Sequence, residues 1–184
     1  MITGVILAGG RSSRFGQDKG LFHYQGKPLV QHAADIIRPL CDDLLIISNK
    51  PDQYAGFGLT VKPDLYPGCG PLAGIHSGLS HAAQDTVAFI ACDTPHIPSK
   101  TYAFLLQHLG DYDAIMPAHG KFIETLCAAY QKKSLPAITR ALEEKTYKIL
   151  AAHLEMRVRY IPVGQEDFYA PGIFHNINYP QDIQ

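Results

Sequence analysis

Apolar runs of strand length recur along this chain, separated by segments whose apolar residues keep helical spacing, and no other feature restricts its fold as strongly. The runs cover residues 2–8, 44–48, 59–62, 87–92, 114–117, 125–130 and 158–163. Most are continuously apolar rather than alternating, as strands covered on both faces require. Helical spacing appears in Leu29, Val30, Ala33, Ile36, Ile37 and Leu40, in Leu72, Ile75 and Leu79, and in Leu135, Ile138 and Leu142. Alternation of the two periods implies βαβ crossovers, hence an α/β fold of three layers: a mostly parallel sheet with helices on both faces. No repeat, low-complexity tract or charge run marks a linker, so residues 1–184 are expected to form a single domain.

Composition narrows the partners. Sixteen Lys plus Arg against seventeen Asp plus Glu leave a net charge of -1, so no global field recommends nucleic acid or an anionic membrane. Any anion site must be local. Cys41, Cys69, Cys92 and Cys127 form no C-x-x-C pair, which argues against a compact zinc site and a secreted disulfide scaffold. With no basic, apolar leader pattern and no spanning run, a cytoplasmic protein is expected.

In open α/β sheets the ligand crevice lies beyond the carboxyl ends of the strands, which directs attention to residues just after each apolar run. The first run passes directly into Gly9-Gly10-Arg11-Ser12-Ser13-Arg14-Phe15-Gly16-Gln17-Asp18-Lys19. Paired glycines let a phosphate approach the main chain, and successive N–H groups form an anion nest to which Arg14 and Lys19 add charge. The segment is neither G-x-x-x-x-G-K-[ST] nor G-x-G-x-x-G, which weakens ATPase and dinucleotide-binding readings.

The run 87–92 ends in Asp93-Thr94-Pro95, a carboxylate at the sheet edge with proline stopping the strand. Such an Asp either holds Mg²⁺ against triphosphate oxygens or is a turn residue, and position alone does not choose. Asn49 and Asp64 also follow strand runs and read by themselves as turn residues. Gly70-Pro71-Leu72-Ala73-Gly74-Ile75 reads as a helix start with Pro71 in its first turn.

Taken together, Leu7, Ala8, Gly9, Gly10, Arg14, Gly16 and Lys19 match L-A-G-G-x-x-x-R-x-G-x-x-K, and the chain resembles the nucleotidyltransferases with a GT-A-like, nucleotide-diphospho-sugar-transferase fold. Cys92-Asp93-Thr94-Pro95, the G-P-L-A-G-I segment, and Phe174-His175-Asn176-Ile177-Asn178-Tyr179-Pro180 extend the likeness to the molybdenum cofactor guanylyltransferase family. That resemblance implies transfer of GMP from GTP to the terminal phosphate of the molybdenum-molybdopterin cofactor, with Mg²⁺ as cofactor. It implies Asp93 at the metal, Lys19 and Arg14 at the triphosphate, and Leu7, Ala8, Gly9, Gly10, Asn49 and Asp64 at the nucleotide. Asn178 is implied to position the metal or the acceptor phosphate.

The N-terminal half would bind nucleotide and the C-terminal half the acceptor. Molybdoenzyme apoproteins or their chaperones are the implied receivers of the product, and a monomer is favoured. Cytidylyl transfer to the same cofactor, a sugar-phosphate nucleotidyltransferase and a non-catalytic nucleotide-binding module remain as alternatives. A metal-dependent glycosyltransferase is disfavoured because Ala91-Cys92 precede Asp93 where D-x-D would stand. Residues 119–131 depart from the pattern: His119-Gly120-Lys121-Phe122-Ile123-Glu124-Thr125 stands where the family often has a His-Pro or Arg-Pro pair, so substrate contacts there stay unassigned.

Overall fold

The computed structural model describes residues 1–9 and 18–178. Among them the strands are β1 (Ile2–Leu7), β2 (His23–Tyr24), β3 (Lys27–Pro28), β4 (Asp43–Ile47), β5 (Thr60–Lys62), β6 (Thr86–Ala91), β7 (Ala114–His119), β8 (Phe122–Ile123), β9 (Ala128–Gln131) and β10 (Val158–Pro162). The helices are α1 (Leu29–Ile37), α2 (Pro51–Tyr54), α3 (Pro71–His81), α4 (Ser99–His108), α5 (Leu135–Glu143) and α6 (Ile149–Ala152).

An eight-stranded sheet runs in the order β10-β7-β9-β6-β1-β4-β5, with β8 added to β7. β5, β4, β1 and β6 pair in parallel, as do β7 and β10. β9 lies between β6 and β7, antiparallel to both.

Adjacent residues of β1 point to opposite faces, so Val5 and Ile6 enter different cores. Ile6 packs with Val30 and Ala33 of α1, Tyr54 of α2, and Tyr102 and Leu105 of α4. Val5 packs with Leu72 and Ile75 of α3, Ile138 and Leu142 of α5, and Ile149 of α6. Helices therefore cover both faces, giving the three layers expected from the alternation of periods.

Local chemistry sets the element ends. α1 buries Leu29, Val30, Ala33, Ala34 and Ile37 along one stripe and tightens into a 3-10 turn at Arg38–Leu40, where Pro39 stands. α3 starts at Pro71 behind Gly70, whose φ of 77° lies in the left-handed region open to glycine. A Cβ on Gly78 would strike the Phe89 ring, so that glycine lets α3 lie close on the sheet.

The structure departs from the apolar runs at several places, three of which have a plain physical reason. α4 lacks the expected spacing because Thr101, a polar residue, is buried beside Tyr102 and Leu105. The β2–β3 hairpin is too short to show a period and turns on Gln25 and Gly26, both at positive φ. The run 125–130 becomes strand only at Ala128, because the Cys127 N–H closes a turn on Glu124 O at 3.2 Å.

Candidate active site

Strand register gathers the candidate residues on one edge. Leu7 pairs with Ile47 and with Ala91, and Ile47 pairs with Lys62. Gly9, Asn49, Asp64 and Asp93 each stand two residues beyond one of those aligned positions, at the carboxyl ends of β1, β4, β5 and β6. This edge is where an open parallel sheet presents its ligand crevice.

The stem of the glycine segment is pinned on both sides. The Ala8 N–H donates to Ile47 O at 3.1 Å, and the Cys92 N–H donates to Leu7 O at 3.1 Å. A Cβ on Gly74 would lie 3.1 Å from Leu7 Cδ2, so the first turns of α3 press against the end of β1. Gly9 is exposed beyond that stem, while Gly10 and Arg14 lie outside the described residues.

On the far side of the segment, Lys19 opens a 3-10 turn, Lys19–Leu21, whose N-cap is Asp18. The buried Asp18 carboxylate accepts from the Gly20 N–H at 3.2 Å and from the Tyr54 hydroxyl, and Lys50 Nζ approaches it at 3.6 Å. The Tyr54 oxygen also lies 3.4 Å from Ala8 O, so this fully buried ring touches both ends of the glycine segment. A Cβ at position 20 would collide with that hydroxyl, which fixes glycine there. Burial, then the bond to Asp18, hold the Tyr54 phenol protonated. Sequence alone singles out neither Asp18 nor Tyr54, because their pairing links positions separated by 36 residues.

The turn places the Lys19 ammonium against Asp93. Lys19 Nζ donates to Asp93 Oδ2 at 2.6 Å and to Asn178 Oδ1 at 3.1 Å. The Ile177 N–H donates to the backbone carbonyl of Asp93 at 2.9 Å, and Ile177 buries its side chain against Tyr24 and Leu29. The C-terminal segment is thereby docked on the strand end that carries Asp93. Residues distant in sequence converge: 74 positions separate Lys19 from Asp93, and 159 separate it from Asn178.

Asp93 Oδ1 is buried and, among the described residues, has no hydrogen-bond partner. A buried carboxylate oxygen without a donor costs free energy, on the order of 1–3 kcal/mol or more for a charged group, unless a cation meets it. A carboxylate beside an amide oxygen is the hard-oxygen set that Mg²⁺ takes, and one or two protein ligands suffice because water and phosphate complete the shell. Among the described residues no cluster of three or more His, Cys, Asp or Glu offers a rival metal site.

Asn49 and Asp64 form a second set, joined to each other. Asn49 Oδ1 accepts from the Asp64 N–H at 2.9 Å. Asp64 Oδ1 accepts from the Tyr66 N–H and from Ser77 Oγ, both at 3.0 Å, and Ser77 Oγ in turn accepts from the Leu65 N–H at 2.8 Å. This network shapes the segment between β5 and α3.

Beside Asp93 opens a cavity of about 140 Å³, bordered by Ala91, Thr94, Ile97, Glu124, Leu126 and Asn176. Glu124 is held by His119, whose Nε2 donates to Oε1 at 2.7 Å and whose ring stacks on Phe174. The Cys92 thiol between Ala91 and Asp93 is buried and its pKa pushed up chiefly by that burial, so it stays neutral.

Known proteins resemble this chain over nearly its whole length. Residues 4–158 match the family described as MobA-like NTP transferase domain. A probable molybdenum cofactor guanylyltransferase of Carboxydothermus hydrogenoformans is 35% identical over 185 residues, covering 100% of this chain and 93% of that protein. The molybdenum cofactor guanylyltransferase of Vibrio cholerae is 37% identical, covering 97% of this chain and 88% of that protein. The crystal structure of molybdopterin-guanine dinucleotide biosynthesis protein A from Archaeoglobus fulgidus superposes with a TM-score of 0.81 at 26% identity, over 98% of this chain and 94% of that one.

Proposed function

The chain belongs to the MobA-like NTP transferase family, and we propose that it transfers GMP from GTP to the molybdenum-molybdopterin cofactor. In that reaction an acceptor phosphate oxygen forms a bond to the α-phosphorus of GTP while the bond from α-phosphorus to the bridging oxygen breaks, and pyrophosphate leaves. The observation that carries the reading is the convergence of Lys19, Asp93 and Asn178 at the edge where the glycine segment begins.

The acceptor phosphate is already an anion, so no strong general base is needed, and the protein contributes position and charge. Lys19 supplies a fixed ammonium for the triphosphate, held in place by the turn that Asp18 caps and Tyr54 braces. Arg14 is assigned to the same charge. Leu7, Ala8, Gly9 and Gly10 offer main chain to the nucleotide, and Asn49 and Asp64 belong to the nucleotide side through the segment they shape.

Asp93 through Oδ1, with Asn178, would hold Mg²⁺. A bound Mg²⁺ neutralises triphosphate charge and favours departure of pyrophosphate. The donor set supports this assignment because Asp93 has one oxygen met by Lys19 and the other unmet among the described residues. In the same reading residues 1–184 act as one monomeric domain, nucleotide on the N-terminal half and acceptor on the C-terminal half, working in the cytoplasm and passing product to molybdoenzyme apoproteins or their chaperones. Among the described residues no helix is long and apolar enough to cross a membrane.

Incubation with each of the four NTPs, Mg²⁺ and molybdenum-loaded molybdopterin, followed by pyrophosphate measurement, tests the reading. Release with GTP alone is expected. Release with CTP alone would transfer the assignment to cytidylyl transfer, and release with no NTP would remove the enzymatic reading.

A further inference from the structure

The 140 Å³ cavity beside Asp93 has three features that together specify a ligand. It is far larger than the roughly 15 Å³ that admits one water and smaller than the roughly 300 Å³ typical of a whole drug-sized ligand, so its size suits one ring system. Its walls include apolar Ala91, Ile97 and Leu126, surfaces against which a flat ring can lie. Its charged lining group is Glu124, a carboxylate rather than a cation, beside a Cys127 thiol that burial keeps neutral, which disfavours phosphate and favours a ligand presenting N–H donors.

Glu124 is also held ready. Its N–H donates to Pro117 O at 3.1 Å, and its carbonyl accepts from the Cys127 N–H at 3.2 Å, which fixes the backbone on both sides. His119 Nε2 holds carboxylate oxygen Oε1 at 2.7 Å, while His119 Nδ1 lies 3.4 Å from the Tyr169 hydroxyl and its ring stacks on Phe174. Pro117 and Cys127 thus fix the backbone, and His119, itself set by Tyr169 and Phe174, orients the side chain. A carboxylate so fixed gains more from a bidentate donor than a freely rotating one, because less side-chain entropy is lost on binding.

The cavity adjoins the reacting centre. Ala91 and Thr94 flank the Cys92-Asp93 pair, and Asn176 precedes the Ile177 N–H that grips Asp93. The Thr94 hydroxyl donates to Ala91 O at 2.9 Å, leaving its oxygen lone pairs to accept.

We infer that this cavity seats the heterocycle of the acceptor, with Glu124 receiving the two adjacent N–H donors of an aminopyrimidinone edge such as a pterin carries. The inference rests on the guanylyl-transfer reading for the acceptor's identity, while its recognition chemistry comes from the cavity itself. Glu124 touches substrate here without taking part in bond making. It also gives residues 119–131, where the sequence departs from the common pattern, a function in acceptor recognition.

The test uses free pterin without nucleotide, its intrinsic fluorescence reporting binding to the purified full chain, alongside steady-state KM values. Glu124→Gln keeps shape but offers one N–H where an acceptor stood. It is expected to weaken pterin binding at least tenfold and to raise the acceptor KM at least tenfold, with GTP affinity unchanged. Glu124→Asp keeps the charge facing His119 but withdraws it by one methylene, and the same pterin loss is expected even if the Gln variant folds poorly. Wild-type pterin affinity in either folded variant, or no pterin binding by the wild type up to its solubility limit, overturns the inference. Loss of pterin binding in the variants sustains it even where the wild type proves inactive with GTP, so failure of the guanylyl reading remains a separate result.

Discussion

Asp64 and Asp93 occupy equivalent places, each two residues beyond the end of a parallel strand, β5 and β6, on the same edge of the sheet. Their surroundings differ. Asp64 Oδ1 is satisfied by the Tyr66 N–H and Ser77 Oγ, donors from its own loop and the helix after it. Asp93 has one oxygen on the Lys19 ammonium and another with no donor among the described residues. Two carboxylates of the same strand-end pattern thus differ in their bonds: Asp64 Oδ1 ties its own loop to α3, whereas Asp93 Oδ1 takes no donor among the described residues. Position at the carboxyl edge selects candidates, and the partners of each oxygen distinguish one already engaged within the fold from one that is not.

The largest effect expected from this contrast is on turnover. Asp93→Ala and Lys19→Ala should each lower GTP-dependent guanylylation about 10²-fold or more, with the far-ultraviolet circular dichroism of the wild type retained. Turnover near wild type in either folded variant would break the contrast at its functional end.

Asp64→Ala should do the converse, costing about 1–3 kcal/mol of stability in urea unfolding because the Tyr66 N–H loses its acceptor. Asp64→Asn, which keeps an oxygen at that place, should recover most of it. A stability loss from Asp93→Ala equal to that from Asp64→Ala would show that both aspartates are structural.

Tyr54→Phe falls between the two classes. Removing the hydroxyl takes a donor from the buried Asp18 carboxylate, so a loss of about 1–2 kcal/mol is expected. Because Asp18 caps the turn that carries Lys19, kcat should fall more than the GTP KM rises. An unchanged kcat with reduced stability would confine Tyr54 to packing.

The smallest effect concerns the pH background against which such stabilities are compared. Burial lowers the His153 pKa to about 4 from 6.5, and the ring is held neutral between the Tyr130 and Tyr160 hydroxyls at 3.2 and 2.9 Å. The unfolded chain takes up this proton near 6.5 and the folded chain only near 4, so the contribution is whole above 6.5 and lost as pH falls from there through 4. His153→Gln should flatten the fall in Tm over that window. An unaltered slope would assign the acid limb to other groups.

Much of the sheet is legible in the sequence because parallel strands buried on both faces must be apolar throughout, as in Val87 to Ala91. The antiparallel insertion of β9 is not, since pairing direction depends on the turn at 124–127 rather than on strand composition. Lys19, Asp93 and Asn178 are legible through motif resemblance, and the structure brings them within hydrogen-bond distance. The structural bonds of Asp64 are hidden because Ser77 lies 13 residues away on α3. Tyr54 is hidden because a tyrosine in a short helix carries no sign of which loop its hydroxyl reaches. The cavity at Glu124 joins three separate stretches of chain, and only folding places them together.

The most direct test of Asp93 as the metal-bearing carboxylate is GTP affinity by isothermal titration with and without Mg²⁺, in the wild type, Asp64→Ala and Asp93→Ala. Mg²⁺ is expected to tighten GTP at least tenfold in the wild type and Asp64→Ala, and to leave Asp93→Ala unchanged. Equal tightening by Mg²⁺ in Asp93→Ala, or its loss in Asp64→Ala alone, would contradict that role.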